Sequence, residues 1–274
     1  MQKLLIIILL LGLASSGSEV RRVVSLSPAL TELVFHLGCA DKLVGRSDAC
    51  DYPPAAKVLP VAGRFAVPYV EQIISLQPDL LITHDLINPG ISKVFTQRGI
   101  EVLMLPSATL ADYRQNVLYL GERLQAAGTA AELQRIDEFL STTPPALGVK
   151  ILWVIWDSPL MVGGAHSLPD EIIRLCGAAN LAGAIPQAYC KCSFEWLWEN
   201  QPDLIFWSGP PRDLRQDRLW RSLQAVQEGR VICDLPAEIL LRPGPRMLEG
   251  VRSLRLRLQA YTAEVAPQTS GEKP

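Results

Sequence analysis

The sequence predicts an α/β protein with two lobes, mostly parallel sheets, a long spine helix between the lobes and a ligand cleft where they meet. Predicted strands and helices alternate over about a hundred residues on each side of a helical segment near the middle of the chain. Both halves also contain one matching segment, in which a helix passes through Gln–Pro–Asp into a strand, at residues 71–83 and 195–207. This repetition predicts two similar, Rossmann-like lobes.

The composition is that of a globular protein with a substantial core. The 274 residues are 49% hydrophobic and 20% charged, which argues against disorder. The formal net charge of −2 gives no reason to expect a nucleic-acid partner.

Residues 1–16 are predicted to be a secretory signal peptide. Lys3 gives a positive start, Leu4–Leu13 is apolar, and small residues follow at 14–17. This apolar run is too short to cross a bilayer, which needs about twenty residues. We therefore expect an exported protein, periplasmic or otherwise outside the cytoplasm, that is soluble once the signal is cleaved.

The chain has six cysteines, a number that fits an oxidising compartment. A disulfide between Cys39 and Cys50 is plausible because the two flank one short helix–strand turn. The spacings contain no Cys-x-x-Cys pattern of the kind used by zinc sites and thioredoxins.

The N-terminal lobe is predicted over residues 22–108. Runs of β-branched and aliphatic residues predict strands at Arg22–Leu26, Leu43–Gly45, Leu80–Thr83 and Val102–Leu105. Ser27 followed by Pro28 is typical of a helix start, and Gly38 ends that helix. Two further helices are predicted at Val70–Leu76 and Ile91–Arg98.

The spine helix is predicted over residues 109–145. Apolar residues recur at helical spacing from Leu110 to Leu140. Gly128 is a candidate break, and Thr129 is the candidate cap of a second piece.

The C-terminal lobe is predicted over residues 149–263, with a disordered tail at 264–274. Strands are expected at Ile151–Trp156, Leu204–Trp207 and Val231–Cys233. Helices are expected at Leu168–Leu175, Phe194–Glu199, Arg218–Val226 and about Pro245–Tyr261.

Several residues suggest ligand chemistry. Cys190 and Cys192 could bind a soft metal ion, or form disulfides. His84 follows a predicted strand, so it is either an axial ligand to haem iron or cobalt or a hydrogen-bonded loop histidine. Arg242 and Arg246 flank a Pro-Gly-Pro turn and could meet carboxylates or amide oxygens of a ligand, or form surface salt bridges.

Four motifs in order resemble one protein family. They are Ser25-Leu26-Ser27-Pro28 with Thr31-Glu32, then Asp51-Tyr52-Pro53-Pro54, then the repeated Glu…Gln-Pro-Asp-Leu segments that begin at Glu71 and Glu195, and finally Arg242-Pro243-Gly244-Pro245-Arg246. Over residues 22 to about 261 the chain resembles the substrate-binding proteins of ABC importers for cobalamin, haem and iron-siderophores, the class with a helical backbone between its lobes.

The resemblance implies a binding protein and not an enzyme, monomeric and without a cofactor of its own. It would carry a corrinoid to a two-fold symmetric permease, or alternatively haem or a ferric siderophore. Phe65 and Tyr189 fall where the family's cobalamin binders have cleft aromatics, whereas another such aromatic is replaced here by Ala49.

Ligand contact is also predicted for several polar and small residues, and the resemblance assigns docking to two glutamates. The cleft set comprises Ser27, Pro28, His84, Cys190, Cys192, Arg242 and Arg246. Glu71 and Glu195 would lie on exposed tips of the lobes, away from the cleft, and pair with arginines of the permease. A carboxylate at a helix start is also favoured by the macrodipole alone.

Two rival functions use Cys190 and Cys192. One is an exported thiol oxidoreductase and the other is a soft-metal scavenger. The pair lacks Cys-x-x-Cys spacing, and the chain has no Gly-x-Gly-x-x-Gly, P-loop or nucleophile-elbow motif.

Overall fold

The computed structural model describes residues 19–265 apart from 87 and 143. The predicted signal peptide and all but the start of the predicted tail lie outside the described residues. Within the described part, no helix combines the length and the apolar character that crossing a membrane requires.

The N-terminal lobe contains one mostly parallel sheet. Its elements are β1 (Val23–Ser25), α1 (Pro28–His36), β2 (Leu43–Ser47), β3 (Val61–Arg64), β4 (Val67–Pro68), α2 (Val70–Ser75), β5 (Leu80–Thr83), α3 (Ser92–Thr96) and β6 (Glu101–Met104). The strand order is β4-β3-β2-β1-β5-β6, and only the β3–β4 pair is antiparallel. The central strands β1 and β5 are buried at every position, as expected for a parallel sheet covered on both faces.

The helical connection between the lobes is a hairpin of two helices, α4 (Leu110–Leu124) and α5 (Thr129–Ser141). Tyr113 binds Glu132 at 2.5 Å, although one straight helix would separate these residues by about 28 Å. The spine predicted over 109–145 is therefore two helices and not one, and the second begins just after the candidate break, Gly128. The predicted cap is also wrong, because Gly128 occupies the N-cap position and the hydroxyl of Thr129 donates to Ala126 instead.

The C-terminal lobe contains a more mixed sheet than predicted. Its elements are β7 (Lys150–Asp157), β8 (Leu160–Gly163), α6 (Leu168–Leu175), β9 (Ala179–Asn180), β10 (Tyr189–Lys191), α7 (Phe194–Glu199), β11 (Leu204–Trp207), α8 (Gln224–Gln227), β12 (Val231–Ile232), α9 (Ala237–Leu240) and α10 (Met247–Val265). The strand order is β10-β8-β7-β11-β12, with β9 also paired to β7, and β8 runs antiparallel to both of its neighbours.

Several predictions for this lobe need correction. The predicted helix Arg218–Val226 is a 3₁₀ turn, Trp220–Ser222, followed by α8. The last helix continues to Val265, so the first two residues of the predicted tail are helical. The two-lobed α/β fold itself is confirmed.

The predicted duplication has a matching hydrogen-bond pattern in the two lobes. Asp79 precedes β5 and accepts the backbone N–H of Arg22 at 2.9 Å. Asp203 precedes β11 and accepts the backbone N–H of Lys150 at 2.7 Å. In each lobe, the aspartate of the repeated segment thus fixes the start of a neighbouring parallel strand.

One apolar core joins the two sheets through the α4–α5 hairpin. It includes buried side chains from the N-terminal lobe, the hairpin and the C-terminal lobe, such as Val23, Leu80, Tyr113, Ile136, Trp153 and Phe206. Separate clusters cover the outer face of each sheet. The lobes therefore meet across a shared core that resists their separation.

Cys39 and Cys50 do not pair, contrary to the prediction. The Cys50 thiol lies 3.1 Å from the hydroxyls of Thr31 and Ser47, whereas the Cys39 thiol faces the carbonyl of Leu124. All six cysteines are free thiols in the structure.

A buried carboxylate, Glu132, ties the hairpin to the N-terminal lobe. It binds His36 of α1 at 2.6 Å, the Tyr113 hydroxyl of α4 at 2.5 Å and the Arg135 guanidinium at 2.7 and 2.8 Å. Arg135 also donates to the carbonyl of Pro245 at 2.6 Å, just before α10. Burial alone would raise the pKa of Glu132, but the hydrogen bonds from His36, Arg135 and Tyr113 lower it to about 2.

Glu132→Gln should therefore destabilise the fold. A pKa of about 2 against the ordinary 4.5 corresponds to about 3 kcal/mol near neutral pH. Because the folded pKa is the lower one, this stabilisation is present above about pH 4.5 and is lost as the pH falls toward 2.

Urea unfolding of both proteins near pH 7 and about pH 3 measures this effect. The difference in free energy of unfolding between wild-type protein and Glu132→Gln should narrow by more than half at the lower pH. Glu122→Gln, which changes an exposed carboxylate on α4, is the matched control and should leave stability nearly unchanged. An equal difference in free energy of unfolding at both pH values would contradict the low pKa assigned to Glu132.

Candidate functional site

The carboxyl-terminal edges of the two sheets face the same junction. After β12 the chain crosses back to the N-terminal lobe, where Arg246 binds Glu32 of α1 at 2.6 and 2.8 Å. Arg242 binds Asp51, in the loop that follows β2, at 2.7 Å. Ligand sites of open α/β sheets form at this edge, so the space between the two edges is the candidate cleft.

Phe65 presents an exposed ring at the N-terminal side of this cleft. It occupies the turn between β3 and β4, and its side chain is 50% exposed. The next residue, Ala66, has a φ of 59°, in the left-handed region that side chains rarely adopt. The turn is therefore held in an uncommon conformation beside an unburied aromatic ring.

Trp156 presents a second exposed ring on the opposite side, and sequence reasoning missed it as a site residue. It lies near the end of β7 and is 60% exposed. Its indole N–H donates to the carbonyl of Ser158 at 2.9 Å, which orients the ring. A tryptophan that ends a strongly apolar strand just before an Asp-Ser-Pro turn is the sequence signal that could have identified it.

A cavity of about 240 Å³ opens beside Trp156. Trp207, Pro210 and Pro211 form its apolar wall together with Trp156. At its polar end the guanidinium of Arg212 lies 4.8 Å from the centre of the Trp207 ring and binds Asp157 at 2.8 Å.

A second cavity of about 460 Å³ adjoins the first, since both are lined by Trp207, Gly209, Pro210 and Pro211. It adds the segment after β12, including Asp234 and Glu238. Asp234 is paired with Arg257 of α10. Acidic side chains are therefore prominent among the charged residues of the C-terminal half of the cleft.

Tyr189 lies on the edge strand β10 and is 50% exposed. Burial of the phenol raises its pKa, so the hydroxyl stays protonated. Its side chain projects to the opposite face of the strand from Cys190, because successive side chains alternate.

The Cys190-Lys191-Cys192 segment belongs to β10 and its end. Cys190 is 4% exposed and packs with the apolar cluster on the outer face of the sheet. Burial raises the pKa of Cys192 to about 12, and the neighbouring Cys190 thiol adds to this effect. Among the residues that the structure describes, no group of three or more His, Cys, Asp or Glu is placed to hold a metal ion.

His84 has the hydrogen-bonded role that was one of its two predicted roles. Its Nδ1 lies 2.8 Å from the carbonyl of Leu105, and burial lowers the pKa of the ring, which favours the neutral form. Its Nε2 is buried without a hydrogen-bond partner. Ligand contact by His84 stays an untested prediction.

Four other predicted ligand residues serve the fold in the structure. Ser27 and Pro28 are buried at the start of α1. Arg242 and Arg246 form the inter-lobe ion pairs, which is the salt-bridge alternative, and Arg246 also stacks 3.9 Å from the centre of the Tyr52 ring. A cavity of about 350 Å³ lies beside these pairs. Ligand contact by these four residues stays an untested prediction.

Glu71 and Glu195 occupy equivalent positions in the two lobes. Each is the second residue of a six-residue helix, α2 or α7, and each is exposed. Each helix leads directly into the next strand of its lobe, β5 or β11. Their predicted place on the lobe tips stays untested. Hydrogen bonds from its own backbone and from Ser193 lower the pKa of Glu195, which therefore stays ionised.

Comparison with known proteins identifies close counterparts of this architecture. The vitamin B12-binding protein of Vibrio cholerae is 28% identical over 244 residues, which cover 85% of this chain and 87% of the relative. The crystal structure of the periplasmic vitamin B12-binding protein BtuF of Vibrio cholerae superposes with a TM-score of 0.75 at 25% identity, covering 88% of this chain and 98% of BtuF.

A haem-binding protein is equally similar in structure. The periplasmic haem-binding protein BhuT, solved in complex with two haems, gives a TM-score of 0.78 at 26% identity and covers 88% of this chain and 98% of BhuT. The family model described as periplasmic binding protein matches residues 23–237. The chain therefore belongs to the periplasmic binding protein family.

Proposed function

We propose that this protein is the substrate-binding protein of an ABC importer that captures a corrinoid of the cobalamin type and delivers it to a membrane permease. The observation that supports the proposal is the pair of exposed rings, Phe65 just after β3 and Trp156 near the end of β7. Large aromatic side chains suit a flat macrocycle because they bury much apolar area at little entropic cost.

The charge of the cleft favours a corrinoid over haem. Asp157, Asp234 and Glu238 line the two C-terminal-lobe cavities, where Arg212 is the cation. A corrin ring carries amide side chains, which can donate to carboxylates and accept from a guanidinium. Haem carries two propionates, and among the residues that line these two cavities Arg212 is the one cation that could pair with them.

Haem iron would take an axial ligand from the protein, and the candidate histidine is engaged elsewhere. His84 is held by the Leu105 carbonyl. A corrinoid makes no such demand, because it can bring its own axial ligands.

Haem is the second candidate ligand. It is supported by the similarity to BhuT, whose TM-score of 0.78 is as high as that of BtuF at comparable identity. No observation favours the thiol oxidoreductase or the soft-metal scavenger. Reactive thiols have low pKa values and exposed sulfur atoms, whereas Cys190 is buried and burial raises the pKa of Cys192.

We place the mature protein outside the cytoplasm, in the periplasm, after cleavage of residues 1–16.

Delivery would use Glu71 and Glu195 as the docking pair. Two equivalent exposed carboxylates, one per lobe, suit a partner with two-fold symmetry that offers one arginine to each.

The purified protein should bind cobalamin at one molecule per chain in calorimetry, and more tightly than haem. Phe65→Ala should weaken this binding about thirtyfold, because burying one aromatic side chain contributes about 2 kcal/mol. Leu256→Ala, at a 67% exposed apolar residue on α10, is the matched control and should leave affinity unchanged. Tight haem binding with no heat from any corrinoid would replace the first candidate by the second.

Glu71→Ala and Glu195→Ala should each weaken docking to the cognate permease at least about tenfold, because truncating one partner of an interfacial charge pair costs about 2 kcal/mol or more. Both changes together should be worse than either alone. Cobalamin uptake into vesicles that contain the permease measures docking, and calorimetry checks that ligand affinity is unchanged.

Glu138→Ala, at an exposed carboxylate on α5, serves as the control for the docking variants. Full uptake with the double variant would exclude this docking role. Loss of ligand binding in either single variant would instead place that glutamate in the cleft or in the fold.

A further inference from the structure

The Cys190-Lys191-Cys192 segment places two thiols on one side of an edge strand. Cys190 lies within β10 and Cys192 follows the last residue of that strand, and side chains two positions apart in a strand point to the same face. Both cysteines pack with the apolar cluster on the outer face of the C-terminal sheet, whereas Lys191 is exposed. The two sulfur atoms therefore share one side of the strand.

The two thiols also interact with each other. Burial, then charge repulsion from Cys190 and a hydrogen bond with it, together raise the pKa of Cys192 to about 12. The two effects of Cys190 require that the sulfur atoms lie close together. The Cys190 thiol also lies 3.8 Å from the carbonyl of Val162 on β8. Two neighbouring thiols on one face of a strand are the arrangement from which a local disulfide can form.

The backbone at this position allows the ring to close, but only under strain. Two residues of a strand span about 6.6 Å, at the upper end of the range of about 4.4–6.8 Å between the Cα atoms of a disulfide. Among the described strands β10 pairs only with β8, so a contraction of its end disturbs one neighbour. The contact at stake is the hydrogen bond from the Cys192 N–H to the Leu160 carbonyl, at 3.1 Å. Strained disulfides are the ones that are readily reduced again.

We propose that Cys190 and Cys192 form a reversible disulfide within the strand, which makes this segment a redox-sensitive modification site. The oxidant is the disulfide of a small thiol, RSSR. The site lies between Tyr189, a predicted ligand residue, and Ser193, whose hydroxyl caps α7. Oxidation therefore changes the short segment that joins Tyr189 to α7. The inference does not depend on which ligand the protein carries.

The exchange begins at Cys192, which is the less buried of the two cysteines. Its thiol loses a proton to solvent and attacks RSSR, which gives a mixed disulfide and one thiolate that takes up a proton. The Cys190 thiol then loses its proton and attacks the Cys192 sulfur, which closes the ring and releases the second RSH. The two cysteines lose two electrons, and RSSR gains them. Because burial keeps the thiols protonated, we expect this exchange to be slow.

Thiol counting in a glutathione buffer tests the proposal. The mature protein is equilibrated with an excess of oxidised glutathione, and a second portion is then returned to an excess of reduced glutathione. Each sample is quenched in acid, unfolded and alkylated, and its alkylated thiols are counted by intact mass and located by peptide mapping. Cys192→Ser removes one member of the pair. Cys233→Ser removes another thiol that packs against the same cluster and is the matched control.

We expect wild-type protein in oxidised glutathione to lose two of its six alkylatable thiols, both in the peptide that contains Cys190 and Cys192. Reduced glutathione should restore all six, because the strained bond opens readily. Cys233→Ser should lose the same two thiols as wild-type protein. Cys192→Ser should keep Cys190 alkylatable, since the exchange begins at the missing thiol.

Three results would overturn the inference. The first is six alkylatable thiols, or a glutathione retained on Cys192, because either shows that the ring does not close. The second is a bond from Cys190 or Cys192 to another cysteine, and the third is a bond that excess reduced glutathione leaves intact. Peptide mapping of wild-type protein separates these results even if a variant fails to fold. No corrinoid is involved, so the proposed transport function stands or fails by its own test.

Discussion

The arrangement of the two lobes depends on the buried Glu132 carboxylate. It joins α1, α4 and α5 through His36, Tyr113 and Arg135. Arg135 extends the network to the carbonyl of Pro245, at the start of the last helix. A buried carboxylate without such partners would be strongly unfavourable, so the charge enforces this geometry. The ion pair between Glu32 and Arg246 closes the same junction from the cleft side.

A fixed junction has a direct consequence for binding. The facing sheet edges are held at a set separation by the shared apolar core and by the inter-lobe ion pairs. Phe65 and Trp156 therefore stay exposed at defined positions, and under the proposed function they would meet a ligand without a large closure. A preorganised site of this kind loses little ordering free energy on binding, which suits the capture of a bulky, rigid macrocycle.

The sequence allowed the two lobes, the duplicated segment and the family to be predicted, because apolar runs and Gln-Pro-Asp motifs are local signals. The hairpin of α4 and α5 could not be predicted with certainty, since its reversal depends on the long-range contact between Tyr113 and Glu132. The roles of Arg242, Arg246 and His84 were ambiguous for the same reason, because each is decided by a distant partner. Trp156 was missed because exposure at the end of a strand depends on the tertiary fold.

The central claim is that the cleft carries a corrinoid. Native mass spectrometry of the protein, purified from its own host without added ligand, tests it most directly because a retained ligand is identified by its mass. The account predicts a species whose mass exceeds that of the mature chain by one corrinoid, which disappears on denaturation. A retained haem, ferric siderophore or bare metal ion in place of the corrinoid would contradict it.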